Sequence, residues 1–321
     1  MIKTTVVIPN YNGEKYIKNC IESLLSSSVE LKIVVVDNGS KDASVKIIET
    51  QFPMVEVIKL DTNTGFCNAV NVGIKNSKTP YVFLFNNDAT VYKDTIEVLE
   101  RDLDKYPKVF SVQAKMLSMS EPDKIDTAGD EYCALGWAYA IGKDKHSIDY
   151  AGINPVFSSC AGAALYRRAT FKKLGLFDNN HFAYLEDVDI GYRANIFGYR
   201  NIADMNAKVL HAGSGSTGSR HNEFKVRISA RNSIYLAYKN MPLLQLAINI
   251  PFLMAGVMIK QLYFIKKGLG RSYFEGIFEG ISFCFSREAR RHKISYKPER
   301  LSTYIALEVV LLANVFKRPF A

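Results

Sequence analysis

Four short apolar runs in the first ninety residues constrain the fold of this chain more than any other feature. They are TTVVIP (4–9), LKIVVVD (31–37), VEVIKL (55–60) and YVFLF (81–85). Each has the length of a strand. The second is apolar almost throughout, as a strand covered on both faces must be. Between the runs the period changes. Tyr16, Ile17, Cys20, Ile21, Leu24 and Leu25 recur at helical spacing. Further short helices are predicted near 42–50, 65–76 and 94–105. Successive β-α units of this size predict an α/β fold, a Rossmann-like and mainly parallel sheet with right-handed crossovers.

Every apolar run ends in polar residues. The clusters are Pro9-Asn10-Tyr11-Asn12, Asp37-Asn38-Gly39-Ser40, Asp61-Thr62-Asn63-Thr64-Gly65 and Asn86-Asn87-Asp88. Any one of them can be a simple turn, since Asn, Asp and Gly are turn formers. Four at the carboxyl ends of parallel strands predict one ligand crevice. Asp37 follows a buried strand, where its carboxylate can accept from a base N–H or a ribose hydroxyl. Asp42 is the better-placed helix cap, which leaves Asp37 free. The turn before NTGFCNAVNVGI (63–74) opens a helix whose free N–H groups suit a diphosphate. Asp88 can bind a hard divalent cation, Mg²⁺ or Mn²⁺, with Asn86 and Asn87 assisting it or bonding a sugar.

Two later stretches add chemistry. HFAYLEDVDIGYR (181–193) holds Glu186, Asp187 and Asp189. Asp189 and Arg193 are i, i+4 partners on a helix. Glu186 and Asp187 stand at its start, either as charges favoured by the helix dipole or with one of them as a general base. KVLHAGSGSTG (208–218) places His211 before a Gly/Ser loop that reads as a lid. His211 can be a metal ligand, a diphosphate contact or a half-buried structural imidazole. Some of Arg220, His221, Lys225, Arg227 and Arg231 can neutralise phosphates.

The last 80 residues differ in character. After residue 259, twelve Lys/Arg oppose five acids, a net +7 of the chain's +9. LLQLAINIPFLMAGVMIKQLYFI (243–265) is apolar but interrupted, and Gln245, Asn249, Gly256 and Lys260 fall on one narrow stripe of a helix. With Gln, Asn and Pro251 inside it, the segment is expected to lie in a membrane interface rather than cross it. SYFEGIFEGISFCFS (272–286) and TYIALEVVLLANVF (303–316) add apolar faces beside the basic REARRHK. So much aliphatic surface favours a membrane over nucleic acid; the alternative is an ordinary helical subdomain packed on the core. The five cysteines are scattered without a CxxC pair, which argues against structural zinc and for a reducing compartment. The N-terminus reads as a strand and not as a signal peptide.

In order and spacing, VVIPNYNG, IVVVDNGSKD, NTGFCNAVNVGI, FLFNNDA, CAGAALYRR with LGLFD, and YLEDVDIGYR resemble the inverting family-2 glycosyltransferases of A-type fold over about residues 3–240. The chain is most similar to their rhamnosyltransferase-like branch. The resemblance implies that Pro9, Asn10 and Tyr11 line a nucleotide pocket and that Asp37 holds the base or ribose. Asn63, Gly65, Asn68, Asn86 and Asn87 join them at the donor. Asp88 matches the last acid of the family's metal motif, here Asn-Asn-Asp, with His211 completing the shell. Asp187 matches the catalytic base, with Glu186 beside it. Residues 1–105 would then bind a nucleotide-sugar, and 106–240 an acceptor. Residues 241–321 would place the enzyme peripherally on the inner face of the cell membrane. The implied donor is dTDP-L-rhamnose or a UDP-hexose, and the implied acceptor a saccharide, lipid-linked, for surface polysaccharide. A non-catalytic sugar-nucleotide binder or scaffold is the competing reading. Self-association is compatible with either.

Overall fold

The computed structural model describes residues 1–213 and 222–317. Most of the expected lid, with Arg220 and His221, lies outside the described residues. The first elements alternate as the periodicity predicts. They are β1 (Thr4–Asn10), α1 (Ile17–Leu25), β2 (Leu31–Asp37), α2 (Ser44–Gln51), β3 (Glu56–Lys59), α3 (Phe66–Asn76) and β4 (Tyr81–Phe85). There follow β5 (Ala89–Val91), α4 (Thr95–Lys105), β6 (Val109–Ser118), β7 (Ile125–Thr127), β8 (Asp130–Cys133), β9 (Trp137–Ala140), β10 (Ile153–Val156), β11 (Ala163–Arg167), α5 (Phe171–Leu174), α6 (Glu186–Ile196) and β12 (Arg200–His211). Five helices end the chain: α7 (Glu223–Asn240), α8 (Leu243–Lys266), α9 (Gly270–Cys284), α10 (Arg287–His292) and α11 (Leu301–Lys317).

One sheet runs β10-β12-β6-β11-β4-β1-β2-β3. The strands β4, β1, β2 and β3 are parallel neighbours. Beyond β4 the sheet is mixed. β11 is antiparallel to both β4 and β6, and β6 is parallel to β12. The second half of the sheet thus continues the first.

Alternation along the strands fills both faces. Ile33 and Val35 of β2 meet Ile17, Ile21 and Leu24 of α1, while Val34 and Val36 point to Cys67, Val70 and Ile74 of α3. A central strand covered by helices on both sides has no polar face to offer, hence the unbroken run IVVV.

The C-terminal helices invert this arrangement. In α8, Gln245, Asn249 and Gly256 are buried, whereas Leu243, Leu244, Ile248, Met254, Met258, Ile259 and Leu262 are exposed. The stripe seen in the sequence therefore faces the protein. Glu308 of α11 causes this: its carboxylate accepts from Gln245 Nε2 at 2.9 Å and from Asn249 Nδ2 at 2.8 Å. Gly256 lies against the backbone of Leu135, and its carbonyl accepts from Trp137 Nε1 at 3.1 Å. Phe274, Phe278, Ile281 and Phe285 in and just after α9, with Ile305, Val309 and Phe316 of α11, are exposed as well.

Candidate active site

The tips of β1 and β2 form the first corner. Asn10 and Asp37 are register partners on adjacent parallel strands, so their side chains meet. Asn10 Nδ2 donates to Asp37 Oδ1 at 2.8 Å and to Ser44 Oγ at 2.9 Å, and Asn10 Oδ1 accepts from Asn87 Nδ2 at 2.9 Å. Asp37 also accepts from Ser40 Oγ at 2.6 Å and from the Ser40 N–H at 3.1 Å. The expectation of a free Asp37 is thus corrected. Asp42 does accept from the Ser44 N–H at the start of α2, but Asp37 is engaged too, because register places Asn10 beside it. Asn10 and Asn87 are buried braces of the crevice, while Tyr11 is exposed and Pro9 half-buried. A second brace shapes the entry to α3. Asn63 Oδ1 accepts from Asn38 Nδ2 and from the Gly65 N–H, both at 3.0 Å. Asn68 Nδ2 donates to Thr64 Oγ1 at 2.9 Å. Gly65 has φ 88°, and a side chain there would collide with Phe182.

The second corner is built on Asp88. β12 pairs with β5, His211 opposite Ala89, which carries the imidazole to Asp88 across a long sequence gap. His211 Nε2 lies 3.1 Å from Asp88 Oδ1, and its Nδ1 lies 2.7 Å from Asp126 Oδ2. Asn86 Nδ2 is 3.3 Å from the same Nε2. Asp126, on β7, is further gripped by Lys143. Burial disfavours the imidazolium, but hydrogen bonds to Asp126 and Asp88 outweigh it and raise His211 to about 9. Burial likewise opposes ionisation of Asp126, and His211 and Lys143 overcome it, holding that carboxyl at about 2. The Asp88 carboxylate is a ligand type that suits Mn²⁺ or Mg²⁺; His211, charged where it sits between two carboxylates, would join it as a ligand only on giving up its proton.

The third corner is the start of α6. Asp187 accepts from the Val188 N–H at 2.7 Å, and the backbone of Ala161 is near enough to favour its charged form. The next carbonyl, of Gly162, accepts from the Asn86 N–H at 3.0 Å. Residues 161 and 162 therefore link the start of α6 to the Asp88 corner. Burial raises the Asp187 carboxyl. Glu186 is buried, its Oε2 has no hydrogen-bond partner among the described residues, and burial with the neighbouring Asp187 raises it strongly. Asp130 and Cys160 each bring a ligand atom to within 4.8 Å of Asp187's. Asp130 is raised well above the ordinary carboxyl range by burial and then by Asp187.

Asp126 and Asp130 are the site residues that the sequence reading missed. They stand on the short strands β7 and β8, with no motif around them. The Asp189–Arg193 pair forms as expected, at 2.7 Å, and Lys239 joins it at 2.8 Å. Two of the proposed phosphate partners are engaged elsewhere: Arg227 by Glu279, and Arg231 by the Asn180 carbonyl at 2.7 Å. Lys225 is buried.

Comparison with known proteins agrees with this arrangement. An N-acetylglucosaminyl-diphospho-decaprenol L-rhamnosyltransferase of Mycobacterium tuberculosis is 24% identical over 239 residues, which cover 66% of this chain and 77% of the relative. S. aureus TarS 1–349, solved with UDP-GlcNAc, superposes with a TM-score of 0.55 at 18% identity, covering 97% of this chain and 84% of TarS. The mannosyltransferase PcManGT of Pyrobaculum calidifontis, solved with GDP-Man and Mn²⁺, gives a TM-score of 0.53 at 15% identity, covering 98% and 86%. These structures share the A-type glycosyltransferase fold. The family description Glycosyl transferase family 2 matches residues 5–175, more than half of the chain, and the chain belongs to that family.

Proposed function

We propose that this protein transfers a sugar from a nucleotide-sugar to a saccharide acceptor with inversion at the anomeric carbon, in the synthesis of a surface polysaccharide. The observation that carries this reading is the junction at residues 161 and 162. Through it the half-buried carboxylate of Asp187 is linked, by way of the 161–162 backbone, to the strand end that carries Asp88, which supports this reading. A general base and a site for a diphosphate are then neighbours in one crevice. Residues 1–105 hold the donor. Residues 106–240 hold the acceptor and the base. Similarity to the rhamnosyltransferase favours dTDP-L-rhamnose as donor, with UDP-hexoses next, and a lipid-linked acceptor.

In the reaction the acceptor hydroxyl gives its proton to Asp187 as its oxygen bonds to the anomeric carbon. The bond from that carbon to the diphosphate oxygen breaks on the opposite face, and the nucleoside diphosphate leaves. Burial, by raising Asp187 toward neutral pH, makes it a better-matched base than an ordinary aspartate. Asp88, with His211 once deprotonated, would hold a divalent cation, which when bound would supply Lewis-acid charge to the diphosphate. Asn10, Asn87 and Asp37 keep the pocket walls rigid.

A lipid-linked acceptor accounts for residues 241–321. The exposed apolar faces of α8, α9 and α11 share the C-terminal region with the exposed Arg287, Arg290 and Arg291, a combination that suits a monotopic anchor on an anionic leaflet. The protein would therefore rest on the cytoplasmic face of the membrane.

A panel of nucleotide-sugars, assayed for transfer and for thermal stabilisation with Mn²⁺ or with chelator, tests the reading. The expected result is one donor that is both bound and turned over, with Asp187→Asn retaining binding and losing about 10²–10⁴-fold in turnover. Wild-type turnover by Asp187→Asn would remove the base, and undiminished activity in chelator would remove the metal.

A further inference from the structure

The segment leading into Asp187 is conformationally unusual. Phe182 (φ 61°), Tyr184 (φ 69°) and Leu185 (φ 66°) all lie in the left-handed region, and none is glycine. Such a backbone persists only where its surroundings over-determine it. What holds it can be read by asking where the carbonyls go. The carbonyls of His181, Ala183 and Tyr184 all face one side-chain amide, Asn232 Nδ2, at 2.8, 2.9 and 2.9 Å, and share its two hydrogens. The fourth, of Phe182, accepts from the Cys67 N–H at 3.2 Å, at the start of α3. All four carbonyls of 181–184 are thus accounted for, three by a residue on α7.

Asn232 is fully buried, and its own orientation is fixed. Its Oδ1 accepts from Arg231 Nη1 at 2.8 Å, which leaves the NH₂ no choice but the loop. The same guanidinium nitrogen donates to the Asn180 carbonyl at 2.7 Å, and the group stacks 4.4 Å from the Phe283 ring centroid of α9. Further along the same helix, Lys239 bridges Asp178 at 2.7 Å and Asp189 at 2.8 Å, one acid on each side of the loop. Asn240 Nδ2 adds a bond to Asp189 Oδ1 at 2.8 Å.

We infer that Asn232 is a positioning residue: through the backbone of 181–184 it sets where Asp187 stands relative to the donor loop at Gly65 and Cys67. The inference rests on Asp187 being the base. A shift of the loop moves the carboxylate away from the acceptor oxygen and leaves the strand tips at Asn10, Asp37 and Asn87, which brace one another, in place.

The test uses the full chain and two readouts. Hydrogen–deuterium exchange of the peptide covering 178–190 reports the loop itself, whatever the base is. Turnover of dTDP-L-rhamnose reports its consequence. Asn232→Ala is expected to speed exchange at 181–187 at least about tenfold while β1–β4 peptides are unchanged. It should lower kcat by about 10–100-fold with donor KM within about twofold, the pattern of a misplaced group rather than of lost binding. Arg231→Gln, at a less buried position, should move both readouts the same way by less, and it decides the matter if Asn232→Ala does not fold. Unchanged exchange at 181–187, or a loosened loop with wild-type kcat, would overturn the inference. Asp187→Asn is run beside them with exchange expected to be normal. If that variant keeps wild-type kcat, the base assignment falls, and the exchange result alone then decides whether Asn232 holds the loop.

Discussion

The strands β1–β4 and the helices α8, α9 and α11 are built from similarly apolar sequence and solve opposite problems. In the strands every apolar side chain of IVVV and YVFLF is buried, and polar residues appear only at the tips. In the helices the polar residues Gln245, Asn249 and Asn314 are fully or almost fully buried, while Leu244, Met258, Leu262, Phe278 and Val309 face outward. The strands are made for water outside. The helices turn apolar faces outward and hold one another through buried hydrogen bonds, the arrangement that the proposed membrane contact would require. Apolar content alone does not distinguish the two; the direction of the minority polar residues does.

The sharpest way to break that comparison is one charge placed in each region. Val35→Asp on β2 should prevent folding, since an unpaired buried carboxylate costs more than about 4 kcal/mol. Leu262→Asp on α8 should leave the melting temperature in detergent-free buffer nearly unchanged, yet weaken binding to phosphatidylglycerol vesicles about tenfold. Vesicle sedimentation and thermal melts together decide it, and equal unfolding by both variants would mean that the helices are an ordinary core.

The Asp88 corner adds a second contrast, because it depends on a residue from outside the four strands. Asp126→Ala should weaken Mn²⁺ binding about 10–100-fold, read by paramagnetic resonance, without loss of fold. A change below about threefold would leave Asp126 with no part in orienting His211.

Within the helices, Glu308→Ala removes the acceptor of Gln245 and Asn249. Unfolding free energy should fall by about 1–3 kcal/mol in detergent, because two buried amides lose their partner. Glu308→Gln, which keeps an acceptor, should lose less.

The smallest expected effect is a pH dependence at the far edge of the sheet. Asp102 of α4 is buried beside Asp204, and burial followed by that neighbour raises it to about 7. Its folded value lies above that of the unfolded chain, near about 4. The native state therefore binds the extra proton, and this contribution to stability is present at low pH and lost as pH rises from about 4 through about 7. Asp102→Asn should melt a few degrees above wild type at pH 8, with the gap closing as pH falls to about 4. Parallel melting curves across that range would show that Asp102 does not titrate there.

How much of this was legible beforehand follows from the range of each interaction. β2 and β4 coincide with the runs read from the sequence, and Glu186 and Asp187 stand at a helix start as expected. Those features rest on local periodicity. Asp37 was misjudged because its partner, Asn10, arrives through strand register. Asp126 was missed because only the pairing of β7 with β6 brings it near His211. Asn232 carries no motif at all, and its role is visible only when the carbonyls of 181–184 are traced.

By itself, then, the sequence determined the alternating strands and helices, the polar tips at one sheet edge, the acid pair at the start of α6 and the narrow polar stripe of α8. All of these follow from repeats of two and 3.6 residues and from neighbours a few positions apart. Tertiary structure alone decided which carboxylates are held and which stand open, what lies behind His211, what grips the loop before Asp187, and which way the stripe on α8 faces. Each of those is a contact between residues far apart in the chain. Glu308 reaches Asn249 across 59 positions and His211 reaches Asp88 across the sheet. No local pattern encodes a partner that only the packed fold brings near.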